Sequence, residues 1–103
     1  MSKFGDLINS NIPVLIQFTA EHNPECEQMQ QIIEEVAVEM GEKLTIINID
    51  TIKNPELVEA LRIKSEPTLM VYKNGAMVWR QSGITDKNSL VMICCEHPYN
   101  LMQ

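Results

Sequence analysis

Residues 14–40, VLIQFTAEHNPECEQMQQIIEEVAVEM, decide the fold, because the hydrophobic period changes inside them. Val14-Leu15-Ile16-Gln17-Phe18 is almost continuously apolar, the pattern of a strand covered on both faces of a parallel or mixed sheet. From Pro24 to Met40 the spacing becomes helical. Cys26, Met29, Ile32, Ile33, Val36 and Met40 share one face, with Glu27, Gln30, Glu34 and Glu35 elsewhere. Gly41 then supplies a stop.

On the N-terminal side, Phe4, Leu7 and Ile8 predict a short helix over 3–9, broken at Asn11-Ile12-Pro13. On the C-terminal side, Leu44 to Ile49 is rich in β-branched residues and predicts a strand. Asn54-Pro55 opens a helix over 56–61, with Asn54 as its cap and Pro55 at its first position. Leu69 to Tyr72 predicts a strand, Lys73-Asn74-Gly75 a hairpin turn, and Met77 to Gln81 its antiparallel return. After Gly83, Asp86 to Cys95 reads as a closing helix with Pro98 beyond it. A βαβ unit followed by a hairpin and a helix predicts an α/β three-layer sandwich. Its mixed sheet has about four strands with helices on both faces. The whole chain, 1–103, is read as a single domain.

Composition bounds the function. The chain has 103 residues, is 45% hydrophobic and 21% charged, and carries a formal net charge of −6. That balance argues against sequence-independent binding to nucleic acid, which needs a basic face, and against an anionic membrane surface. No apolar run approaches the length of a membrane span, and no leader motif is visible, so a cytoplasmic location is expected. Three cysteines, Cys26, Cys94 and Cys95, form no disulfide framework and fit a reducing compartment. His22 and His97 are isolated, so no metal site is expected, and nothing in the sequence calls for a cofactor. Adjacent helical residues point about 100° apart, so Cys94 and Cys95 are expected as one packed and one peripheral thiol rather than a redox pair. Met29, Met40, Met70 and Met77 are expected in the core or at its boundary.

Four segments then point to a family. Phe18-Thr19-Ala20-Glu21-His22-Asn23-Pro24-Glu25-Cys26 resembles the thioredoxin segment F-W-A-E-W-C-G-P-C. Asn54-Pro55-Glu56-Leu57 and Ile63-Lys64-Ser65-Glu66-Pro67-Thr68-Leu69 resemble the family's N-P-E-L and I-R-S-I-P-T-L. Tyr72-Lys73-Asn74-Gly75 matches F-K-N-G, and Gly83 falls on a later family glycine. The resemblance runs from Pro13 to Cys95. The family's additional N-terminal edge strand is expected to be missing, which would leave an exposed sheet edge.

The resemblance also shows where this sequence departs from the pattern. Thioredoxins attack a disulfide with a thiolate at a helix N-terminus and resolve the mixed disulfide with a second cysteine. Asn23 stands at the attacking position and Cys26 at the resolving one. Gln17 stands where the family has a buried aspartate, and Asn48 falls near its buried lysine. Asn23-Pro24-Glu25 is also a good helix start in its own right, with Asn as cap, Pro at the first position and an acid in the first turn. By resemblance Pro67 is a cis-proline beside Cys26, and the backbone of residue 66 contacts an extended partner chain. Glu66 replaces the usual apolar residue there, so with Glu21 and Glu25 an acidic groove is expected. His22 replaces a tryptophan.

These residues give a leading function and two alternatives. In the first, the chain binds protein segments or thiols through Glu66, Pro67, His22 and Asn23 without dithiol turnover, supported by Gln17, Pro24 and Gly83. In the second, Cys26 performs monothiol exchange in redox homeostasis, with glutathione resolving the mixed species. In the third, the exposed edge supports self-association in a structural role.

Overall fold

The computed structural model describes residues 2–95. His97 and Pro98 lie outside the described residues. The elements follow as α1 (Ser2–Ile8), β1 (Val14–Thr19), α2 (Pro24–Met40), a 3-10 turn (Gly41–Lys43), β2 (Thr45–Asp50), α3 (Pro55–Ala60), β3 (Thr68–Lys73), β4 (Ala76–Ser82) and α4 (Lys87–Cys94). The sheet order is β2-β1-β3-β4, with β1 parallel to β2 and antiparallel to β3, and β3 antiparallel to β4. This is the mixed four-stranded sandwich that the periodicity predicts.

The central strands show why the apolar run at 14–18 is continuous. Side chains alternate across a strand, so each face of β1 needs its own apolar set. Leu15, with Leu69 and Val71 of β3, packs against Met29, Ile33 and Val36 of α2 and Leu90 and Cys94 of α4. Val14, Ile16 and Phe18, with Met70 and Tyr72, pack on the other face against Leu57 of α3, with Phe4 and Ile8 of α1 beside them. The Phe4 and Tyr72 rings meet edge to face at 5.8 Å. Gln17 falls on the α2/α4 face and breaks its apolar set.

Local chemistry sets the boundaries. Asn74 and Gly75 both have positive φ (55° and 81°), as the tight two-residue turn between β3 and β4 requires. A bulge leaves Val78 without a partner, since Val71 pairs with Trp79 and Tyr72 with Met77. Asp86 caps α4 by accepting from the Ser89 amide at 3.0 Å. Two sequence expectations need correcting. Asn54 makes no side-chain cap on α3; its Nδ2 donates to the Asp50 carbonyl at 2.8 Å, because the turn after β2 brings that carbonyl within reach. Met77 is exposed rather than core, because β4 is an edge strand with little covering it. Among the described residues β2 is the opposite edge, with no strand outside it.

Candidate functional site

The start of α2 and the turn before β3 meet at Asn23, and the end of β1 lines a pocket with Cys26 in the first turn of α2. Cys26 is buried there, only 3% exposed. Asn23 precedes it in extended conformation and caps the helix: its Oδ1 accepts from the Glu25 amide at 2.9 Å and from the Cys26 amide at 3.0 Å. The other end of the same side chain reaches across the site, where Nδ2 donates to the Glu66 carbonyl at 3.3 Å. One amide therefore ties α2 to the turn that leads into β3. Sequence reasoning supplied the cap but not this tie, which depends on two segments 43 residues apart.

The Glu66–Pro67 peptide bond is cis, and Pro67 is buried. The Gly83 amide donates to the Pro67 carbonyl at 2.8 Å, and Gly83 holds φ at +90°, a conformation open to glycine. Gly83 is thus brought to the site from beyond β4. The Glu66 carboxylate is engaged: Thr51 Oγ1 donates to its Oε2 at 2.8 Å. The hydroxyl, buried just past the end of β2, fixes the carboxylate's position and leaves its Oε1 and its charge available. Glu21 and Glu25 are exposed, as is His22, which has positive φ (61°) in the turn before α2.

Gln17 is 1% exposed and pairs in register with Asn48 of β2. Gln30 of α2 lies over both. Its Oε1 accepts from Asn48 Nδ2 at 3.1 Å and from Gln17 Nε2 at 3.5 Å, and its Nε2 donates to Glu34 Oε2 at 3.4 Å. Gln30 was not singled out from sequence. The signal was present, because residues 26, 30 and 34 form one i, i+4 stripe along α2.

Elsewhere, Cys94 is fully buried against α2 and burial pushes its thiol up to about 11, whereas Cys95 is exposed. All three cysteines are free. Among the described residues no group of His, Cys, Asp and Glu could hold a metal ion, and no helix is long and apolar enough to cross a membrane.

The thioredoxin family model matches residues 1–95. The chain belongs to the thioredoxin family. It is 34% identical over 86 residues to a thioredoxin of Rickettsia bellii (strain RML369-C), covering 84% of this chain and 82% of that one. Among solved structures it resembles chloroplastic thioredoxin z, with a TM-score of 0.82 at 24% identity, covering 90% of this chain and 85% of the other. The oxidised thioredoxin of Plasmodium falciparum aligns with a TM-score of 0.74 at 30% identity, covering 91% and 88%. The thioredoxin fold and family membership, typically that of redox proteins, are therefore established. Against that family this thioredoxin-like chain carries Asn-Pro-Glu-Cys at residues 23–26.

Proposed function

We propose that this member of the thioredoxin family binds extended protein segments beside Pro67 without dithiol-disulfide turnover, in a reducing, cytosolic setting. The observation that carries the reading is the triple engagement of Asn23. Its side chain holds the Glu25 and Cys26 amides and the Glu66 carbonyl together. A carboxamide is no nucleophile for disulfide exchange, and it occupies the helix amides that would otherwise stabilise a thiolate. Cys26 is left buried, and the side chains of β1 and β2 that line the pocket it borders, Gln17, Thr19 and Asn48, are neutral and offer no base. The Glu66 amide has no acceptor among the described residues, which leaves a backbone donor for an incoming chain.

Two measurements test this. With a thiol regenerant, insulin-disulfide reduction should stay at background; turnover that Cys26→Ser abolishes would establish monothiol exchange instead. S-carboxymethylated insulin B chain, an extended chain with blocked thiols, should shift the Glu66 and Thr68 amide resonances. Unmoved resonances at saturating peptide overturn the binding reading.

A further inference from the structure

Gln17 poses a problem that the fold does not solve. It is a primary amide, 1% exposed, and its Oε1 has no hydrogen-bond partner. Buried polar atoms in native structures are almost always paired, so an orphan of this kind marks a missing partner. Its neighbours fix which end is free. Glu34 can only accept when ionised, so Gln30 must turn its Nε2 toward it and its Oε1 toward Gln17 and Asn48. Both of those amides must then present their NH2 groups to Gln30. Gln17 is left with an unfilled acceptor, and its one bond, at 3.5 Å, is at the outer limit of hydrogen-bond length.

This amide lines a pocket of about 480 Å3 formed between the end of β1, the first turns of α2 and Asn48. No residue of the 65–68 turn lines it, so it is separate from the groove beside Pro67, although Cys26 borders it. Its mouth carries Glu21 and Glu27, and Glu34 reaches it through Gln30. Neither lysine nor arginine is among its lining residues, and His22 is the sole ionisable nitrogen there. The lining is rich in acceptors and acidic at the rim, with its least satisfied acceptor at the back.

We propose that this pocket is a binding site for a guanidinium group. A guanidinium presents several N–H donors in one plane and accepts nothing, which suits carboxylates at the rim and an amide oxygen within. Gln30 gates the site. It gives up the 3.5 Å contact to Gln17 and rotates on the surface of α2, which frees the Gln17 carboxamide to turn its Oε1, instead of its NH2, toward the ligand. The ligand then bonds to Gln17 at one edge and to Glu27 or Glu21 at another, and the negative rim draws the cation in.

The test follows the side-chain amide resonances of Gln17, Gln30 and Asn48 while three probes are added: methylguanidinium, acetyl-Gly-Arg-Gly-amide, and the same peptide with neutral citrulline for arginine. Methylguanidinium and the arginine peptide should shift these resonances, and the citrulline peptide should not. Equal affinity for the two cations identifies a free small guanidine as ligand. Affinity for the peptide higher by about tenfold or more identifies an arginine carried on a polypeptide. Gln17→Met keeps the side-chain volume and removes the orphan oxygen, so it should fold at least as well as the parent and bind about tenfold or more weakly. Glu27→Gln should weaken binding and reduce its salt dependence. Unshifted resonances, meaning that the pocket holds ordered water only, overturn the proposal, as does undiminished binding by Gln17→Met. The Glu66 and Thr68 amides report the groove separately, so either site can fail without the other.

Discussion

Replacing Asn23 by alanine removes three hydrogen bonds at once and leaves the backbone path of the turn unchanged. The cap contributes about 1 kcal/mol, since Oδ1 serves two otherwise orphaned amides at 2.9 and 3.0 Å. The bond from Nδ2 to the Glu66 carbonyl, at 3.3 Å and partly buried, adds about 0.5 kcal/mol. Asn23→Ala should therefore lose about 1.5 kcal/mol, or about 6–12 °C of Tm in a domain of this size. Urea unfolding followed by circular dichroism measures it, and the slope of the transition should not change. Asn23→Asp separates the two contributions. It keeps an acceptor for both amides and gains about 0.3–1 kcal/mol from the helix dipole, but loses the donor to Glu66. It should stay within about 0.5 kcal/mol of the parent. If Asn23→Ala loses less than about 0.3 kcal/mol, or Asn23→Asp is as damaged as Asn23→Ala, the side chain does not tie α2 to the turn before β3.

Gly83→Ala should cost about 1–2 kcal/mol by thermal unfolding; a Cβ there meets nothing within 4 Å, so the cost comes from φ at +90° alone, and an unchanged Tm would disprove it. Arg80 donates to the Leu61 and Arg62 carbonyls at 2.6 and 2.8 Å, closing the end of α3. Arg80→Ala should lose about 1 kcal/mol, and Arg80→Lys should recover little, because an ammonium lacks the two-pronged fork; full recovery by lysine would refute the paired geometry. Burial raises the Cys94 thiol from 9.0 to about 11, so the unfolded chain releases this proton first as pH rises. The stability it contributes is present below pH 9 and is lost between 9 and 11. The difference between the parent and Cys94→Val in urea should change by about 2 kcal/mol from pH 7.5 to 10.5; a constant difference would show that the thiol is not held protonated.

The layout of the fold was legible because its signals are local. The change of period at Phe18–Pro24, the Asn-Gly turn and the acid before α4 each act within a few residues. What escaped the sequence depends on partners brought together from afar. Asn54 reads as a cap until the turn after β2 places the Asp50 carbonyl beside its amide. Glu66 reads as one acid of a groove, and only the packed chain shows that Thr51, fifteen residues away, donates to its carboxylate. Gln17 was visible as a polar interruption of an apolar run, but its shared acceptor Gln30 needed the packing of α2 over β1 and β2. Local patterns give elements; the polar pairing between elements needs the packed chain.

That polar pairing bears on what the site can do. Disulfide exchange needs an attacking thiolate, which in this fold draws on a helix N-terminus, and a group to move the proton of the second thiol. Here the helix amides at 25 and 26 are bonded to Asn23, and the buried neighbour Gln17 cannot ionise. Unpaired hydrogen-bonding groups are in better supply. Among the described residues the Glu66 amide stands without an acceptor, and Gln17 Oε1 without a donor. One asks for a carbonyl and the other for an N–H group. A polypeptide carries both, the first on its backbone and the second on an arginine side chain, so the two proposed sites ask for the same class of partner, and neither draws on the Cys26 thiol.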